Sequence, residues 1–111
     1  MRRTLGLVLA GSVLLAGCGR DESSTTTGAA AGNAAKGQQA WLAHCVVCHN
    51  ADPSKDGPIG PSVKGSSRAL LEAKVLRGEY PPRYKPKRET KVMPPRPDLA
   101  PSLPDLAAYL Q

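Results

Sequence analysis

Five consecutive residues, Cys45-Val46-Val47-Cys48-His49, carry most of the chemistry this sequence could do. Two thiols three residues apart, followed directly by an imidazole, read as c-type haem attachment. The sulfurs add to the two vinyl groups of the porphyrin as thioethers, and the spacing puts both at one edge of the ring. The next residue then lies under the iron, so His49 can serve as its axial ligand. Other chemistries use subsets of these residues. A Cys-x-x-Cys pair can cycle between dithiol and disulfide, but the βαβ context of a thioredoxin-like fold is missing and the chain is too short for one. Zinc needs four ligands, usually in two pairs. His44, Cys45, Cys48 and His49 are contiguous, and such a cluster is sterically unsuited to closing a tetrahedron alone. A structural disulfide would leave His49 without a role. The residues favour one covalently bound haem c.

Haem iron takes a sixth ligand or keeps an open site. The sequence holds two methionines, Met1 and Met93. Met1 belongs to an N-terminal export segment, which leaves Met93. It stands in Val92-Met93-Pro94-Pro95, where Pro94 pushes its backbone toward an extended form and the two prolines stiffen the chain beyond it. Such a loop can hold a weak ligand without a helix. Thioether ligation favours reduced iron and raises the potential. Core filling is the ordinary use of a lone Met, and the polar, proline-rich setting argues against it. His44 is the rival ligand, but it sits beside Cys45 on the same helix and cannot easily reach the opposite haem face.

Three helical patterns must position these residues. The first covers residues 33–47 or 35–47, with Gly37, Trp41 and Cys45 on one face at spacings of four. The second covers 68–77. Ser66-Ser67 can cap it, Leu70, Leu71, Val75 and Leu76 form its stripe, and Gly78 can stop it. The third covers 103–110, with Ser102 as N-cap and Asp105 in the first turn. No window alternates, so the fold class expected is all-α with little or no sheet. Long Pro/Gly-rich loops at 50–65 and 79–101 join the helices.

Composition limits the rest. The chain has 111 residues, no Phe, 11 Gly and 11 Pro. One small domain fits, and so thin an apolar supply calls for a staple such as a metal, a disulfide or a prosthetic group. The lack of Phe makes an aromatic RNA-binding sheet a poor reading. A short basic start, Met1-Arg2-Arg3, precedes an apolar run too short to span a membrane. That run ends Leu15-Ala16-Gly17-Cys18, which resembles the lipobox of bacterial lipoproteins. The resemblance implies cleavage before Cys18 and acylation of its sulfur. The expected organisation is a signal peptide at 1–17, a lipidated Cys18 and flexible tether at 18–36, and a folded domain at 37–111. Loss of Arg2 and Arg3 leaves 13 basic residues against 9 acidic, a net charge of +4. Residues 19–36 hold no large apolar side chain and cannot offset their own ordering entropy.

Beyond the attachment motif, Gly60-Pro61-Ser62-Val63-Lys64-Gly65 is similar to the Gly-Pro-x-Leu-x-Gly loop of the small bacterial class I cytochromes c. Pro61 falls twelve residues after His49, as in that family. Asp105-Leu106-Ala107-Ala108-Tyr109-Leu110 is similar to the family's last helix. The resemblance covers nearly all of 37–111. It implies a cytochrome c fold of three to four short helices wrapped around one haem. It further implies that the Pro61 carbonyl accepts the His49 Nδ1–H, and that Gly37 and Tyr109 meet where the first and last helices cross. It implies an electron carrier and no enzyme: a monomer tethered by lipid in the bacterial cell envelope, domain in the periplasm, that exchanges electrons with redox proteins. Gly19 after Cys18 resembles a signal for the outer membrane.

Two alternatives stay open on the sequence: a haem enzyme or sensor with an open sixth site, and a thiol oxidoreductase using Cys45 and Cys48. The chain departs from the family at 79–92, which is longer. This stretch carries Arg83, Lys85, Lys87, Arg88 and Lys91 against Glu79 and Glu89. It reads as a solvated loop, as a docking patch for an acidic partner, or as a source of haem-propionate partners in Arg83, Tyr80 or Tyr84. Nucleic acid is a poor partner for so modest a charge.

Overall fold

The computed structural model describes residues 31–111. The export segment, Cys18 and most of the tether lie outside the described residues. Helix α1 spans Ala34–His44, so its first three residues fall within the stretch expected to be tether. Asn33 starts it: its side chain accepts the Lys36 N–H at 3.0 Å, which satisfies an otherwise free helix-end donor. The helix stops at His44, before the Val47 expected. The Cys45 N–H still donates to Trp41 O at 2.9 Å, but the Cys48 and His49 N–H groups both donate to the single carbonyl of Cys45, at 3.2 and 2.9 Å. Val46 and Val47 are β-branched and resist a further regular turn. Residues 45–49 therefore lie in a tight turn after the helix.

Helix α2 spans Arg68–Leu71 and continues into a wider, π-wound stretch, Glu72–Leu76. Ser67 is the cap, accepting the Leu70 N–H at 3.2 Å. Ser66 is buried and instead donates its hydroxyl to Val63 O at 2.5 Å. The chain leaves the helix at Gly78. Helix α3 spans Leu103–Leu110, and a 3-10 stretch, Pro97–Ser102, runs directly into it. Ser102 is not a side-chain cap. Its backbone is already helical, because the preceding stretch supplies the turn that a cap would otherwise make. Among the described residues there is no strand.

Helices α1 and α3 form the main contact of the fold. Gly37 lies at their crossing. A Cβ there would overlap the Asp105 carbonyl and come within 2.8 Å of Tyr109 Cβ, so only the bare backbone lets the helices approach this closely. The Asn33 N–H donates to the Asp105 carboxylate at 2.7 Å and ties the start of α1 to the first turn of α3. At the other end of α3, the Gly65 N–H donates to Leu110 O at 2.6 Å, and the Gln111 side chain donates to Ser66 O at 3.0 Å. The core gathers Trp41, Leu71, Val75, Leu99, Leu103, Leu106 and Leu110. The result is a small compact all-helical domain with three helices. Its core is thin. Each buried Leu contributes about 1.5–3 kcal/mol, and few residues share the work of offsetting the ordering of long irregular loops.

Candidate functional site

The turn after α1 opens into a cleft of about 230 Å³, or about 1410 Å³ when the space out to its mouth is counted. Cys45, Cys48, His49, Pro61 and Met93 all line it. Its floor is the core itself: Trp41, Leu71, Val75, Leu99, Leu106 and Leu110. Residues drawn from three separate stretches of chain thus share one mostly apolar wall.

His49 is buried, with 9% of its surface exposed. Its Nδ1–H donates to the Pro61 carbonyl at 3.0 Å. That bond fixes the ring's orientation and leaves the Nε2 lone pair as the free ligand atom, which is how a metal-binding imidazole is ordinarily held. Gly60 supplies the room. A Cβ at this position would lie within 2.7 Å of Nε2 and 2.5 Å of Nδ1. Trp41 closes another side, its ring 5.4 Å from the imidazole. The Trp41 indole N–H is shared between the carbonyls of Asn50 and Ala51, 3.2 Å from each, so it also fastens the chain just after His49.

Cys45 and Cys48 are half-buried, and neither is in a disulfide. Burial pushes the Cys45 thiol up to about 11, and nearby Arg96 opposes this only in part. At neutral pH this sulfur is a neutral thiol, which is a poor attacking group in disulfide exchange. Met93 is half-buried and packs against the core from the cleft side. His44 lines the cleft rim and is exposed.

The basic segment divides into two groups. Lys87 donates to Ser62 O at 2.8 Å, and Arg88 donates to Ile59 O at 2.7 Å while pairing with Asp56 at 3.4 Å. These two cations reach onto the loop that contains Pro61, Arg88 half-buried and Lys87 still exposed. Arg83, Lys85 and Lys91 remain exposed and do not line the cleft. Tyr80 and Tyr84 do line it. Their rings stack at 5.4 Å and 11°, with Lys74 Nζ lying 4.4 Å from the centre of Tyr80. Arg83, in the turn between them, has a φ of 66°.

Sequence reasoning missed three contributors: Gly60 as the space behind His49, Trp41 as the fastener of residues 50–51, and the reach of Lys87 and Arg88 onto the loop that contains Pro61. Only the first had a signal, a glycine directly before the proline of a recognisable loop. No family model, curated protein or solved structure matches this chain.

Proposed function

We propose that this chain is a mono-haem c-type cytochrome with the cytochrome c fold, an electron carrier held at a membrane by lipid on Cys18. The observation that carries the reading is the state of His49. It is buried, its Nδ1–H is already engaged by Pro61, and its Nε2 is left for a metal in the same cleft as Cys45, Cys48 and Met93. The donor set fits the group. Cys45 and Cys48 would hold a porphyrin through two thioethers, and His49 and Met93 would bind its iron. Bound haem supplies a one-electron iron couple, whose potential the axial ligands set. The protein's own work is to fix the imidazole and to wall the cleft with Trp41, Leu71, Val75 and Leu106, apolar side chains that would keep water from a bound metal.

The high pKa of Cys45 counts against this sulfur as the attacking thiol of an oxidoreductase. The exposed cations Arg83, Lys85 and Lys91 supply the candidate docking face for an acidic redox partner. The test is expression with a haem-attachment apparatus, followed by mass measurement and an optical spectrum. A product heavier by one haem, with no spectral change when carbon monoxide meets the reduced protein, supports the reading. A colourless product of unmodified mass refutes it, and a spectral change with carbon monoxide favours the open-site enzyme or sensor.

A further inference from the structure

We infer that residues 79–92 form a strap pinned across the cleft by Lys87 and Arg88, and that these two cations are positioning residues for Met93. The inference rests on the haem reading. Between the end of α2 and the 3-10 stretch at Pro97–Ser102 the chain has no regular structure. Irregular segments of this length are uncommon in compact domains and are usually functional when ordered. The strap needs fastening, and it has few polar contacts with the rest of the domain. Lys87 Nζ reaches both the carbonyl (2.8 Å) and the hydroxyl (3.3 Å) of Ser62. Arg88 reaches Ile59 O at 2.7 Å and the Asp56 carboxylate at 3.4 Å.

The place where the pins land gives them a role. Asp56 itself accepts the Ser62 N–H at 2.7 Å, and Pro61 between them accepts from His49. The loop that holds the His49 imidazole therefore also holds the strap. Met93 follows Arg88 by five residues, and its backbone is stiffened by the prolines after it. A strap fixed at 87 and 88 limits how far the thioether can swing from the iron. Weak thioether ligation depends on such restraint, because a free side chain spends most of its time elsewhere. A second consequence is that Arg88 is a poor docking residue, since Asp56 already pairs its charge, whereas Lys87 is held by neutral acceptors and keeps its charge exposed.

The experiment uses the haem-loaded full chain. Arg88→Gln and Asp56→Asn each remove part of one pin, Lys87→Met removes the other, and Arg88→Lys is the conservative control. The readouts are the thioether-to-iron charge-transfer band of the ferric protein, its midpoint potential, and its affinity for added imidazole, which competes with Met93. Imidazole affinity should rise roughly three- to tenfold in Arg88→Gln and again with Lys87→Met, the range open to exposed charged hydrogen bonds. The midpoint potential should fall, and Arg88→Lys should recover most of both effects. On a Met93→Ala background the same substitutions should change imidazole affinity little, because the restrained ligand is gone. Unchanged band, potential and affinity in a haem-loaded Arg88→Gln, Lys87→Met double variant overturn the strap and leave the haem reading intact. Equal effects with and without Met93 also overturn it, since they mean general loosening. A wild-type chain that takes up no haem overturns both inferences.

Discussion

Replacing Gly60 by Ala is the sharpest test of how the His49 imidazole is held. The backbone here is not left-handed, so alanine meets no conformational penalty. On unfolded-state grounds alone the change would stabilise the protein by about 0.4–1 kcal/mol. Against this, the new Cβ would lie 2.5 Å from Nδ1 and 2.7 Å from Nε2 of His49. Ordinary contact is about 3.5–4.0 Å, so the ring or the loop must yield by about 1 Å. The ring has little freedom, being buried beside Trp41 and bonded to Pro61 at 3.0 Å. A shift of about 1 Å would break that bond, at about 1 kcal/mol, and overpacking adds about 1–3 kcal/mol. The clash wins, for a net loss of about 2 kcal/mol. In a domain of this size that lowers Tm by about 10 °C. Thermal unfolding of the haem-loaded variant, followed in the visible band, reads the loss directly. The midpoint potential should shift in the same sample as the ring reorients. A Gly60→Ala protein with wild-type Tm and potential would show that the imidazole is not packed against this backbone.

Met93→Ala in the loaded protein should lower the midpoint potential and let carbon monoxide bind; an unchanged potential would assign the sixth position elsewhere. Neutralising Arg83, Lys85 and Lys91 together should slow electron exchange with an acidic partner at low ionic strength and have little effect at high salt, as measured by stopped flow. The haem-free chain should be largely unfolded, so its Cys45 should alkylate at about pH 8 as fast as a thiol in a peptide; resistance that persists until the pH nears about 11 would mean that the fold forms without haem. Asp56 is held below the usual carboxylate range, first by the Ser62 N–H it accepts and then by Arg88. A depressed folded-state pKa stabilises the closed loop above about pH 4, and that contribution is lost as the pH falls further. The protection factor of the Ser62 amide, its exchange rate divided into the intrinsic rate at each pH, should therefore fall on acidification, and Asp56→Asn should remove the effect.

The helices were legible because their signals are local. Leu70, Leu71, Val75 and Leu76 mark a stripe, Ser67 can cap, and Gly78 can end a helix, with no knowledge of the rest of the chain. The crossing of α1 and α3 at Gly37 was legible only through resemblance, since nothing near Gly37 in sequence reveals the Asp105 carbonyl. The end of α1 was misplaced because apolar periodicity runs on through Val46 and Val47, while the backbone closes a turn on the Cys45 carbonyl. Ser102 was misread because a 3-10 stretch entering a helix leaves no donor for a cap to satisfy. At the site, the residue types of Cys45, Cys48, His49 and Met93 define a chemistry, and the cleft brings them together. The reach of Lys87 and Arg88 onto that loop could not be read, because their acceptors are backbone carbonyls at Ile59 and Ser62, and a carbonyl carries no sequence signature.

The bond from Asn33 to Asp105 joins positions 72 apart in the chain. Most of the contact between helices is of this long-range kind, so α1 has nothing to close upon until α3 has emerged. A polypeptide delivered N-terminus first through a translocation channel would keep Cys45 and Cys48 accessible for the whole of that passage. If haem is attached to this chain, both sulfurs stay within reach of the attaching enzyme throughout that passage, and closure of α1 on α3 follows attachment.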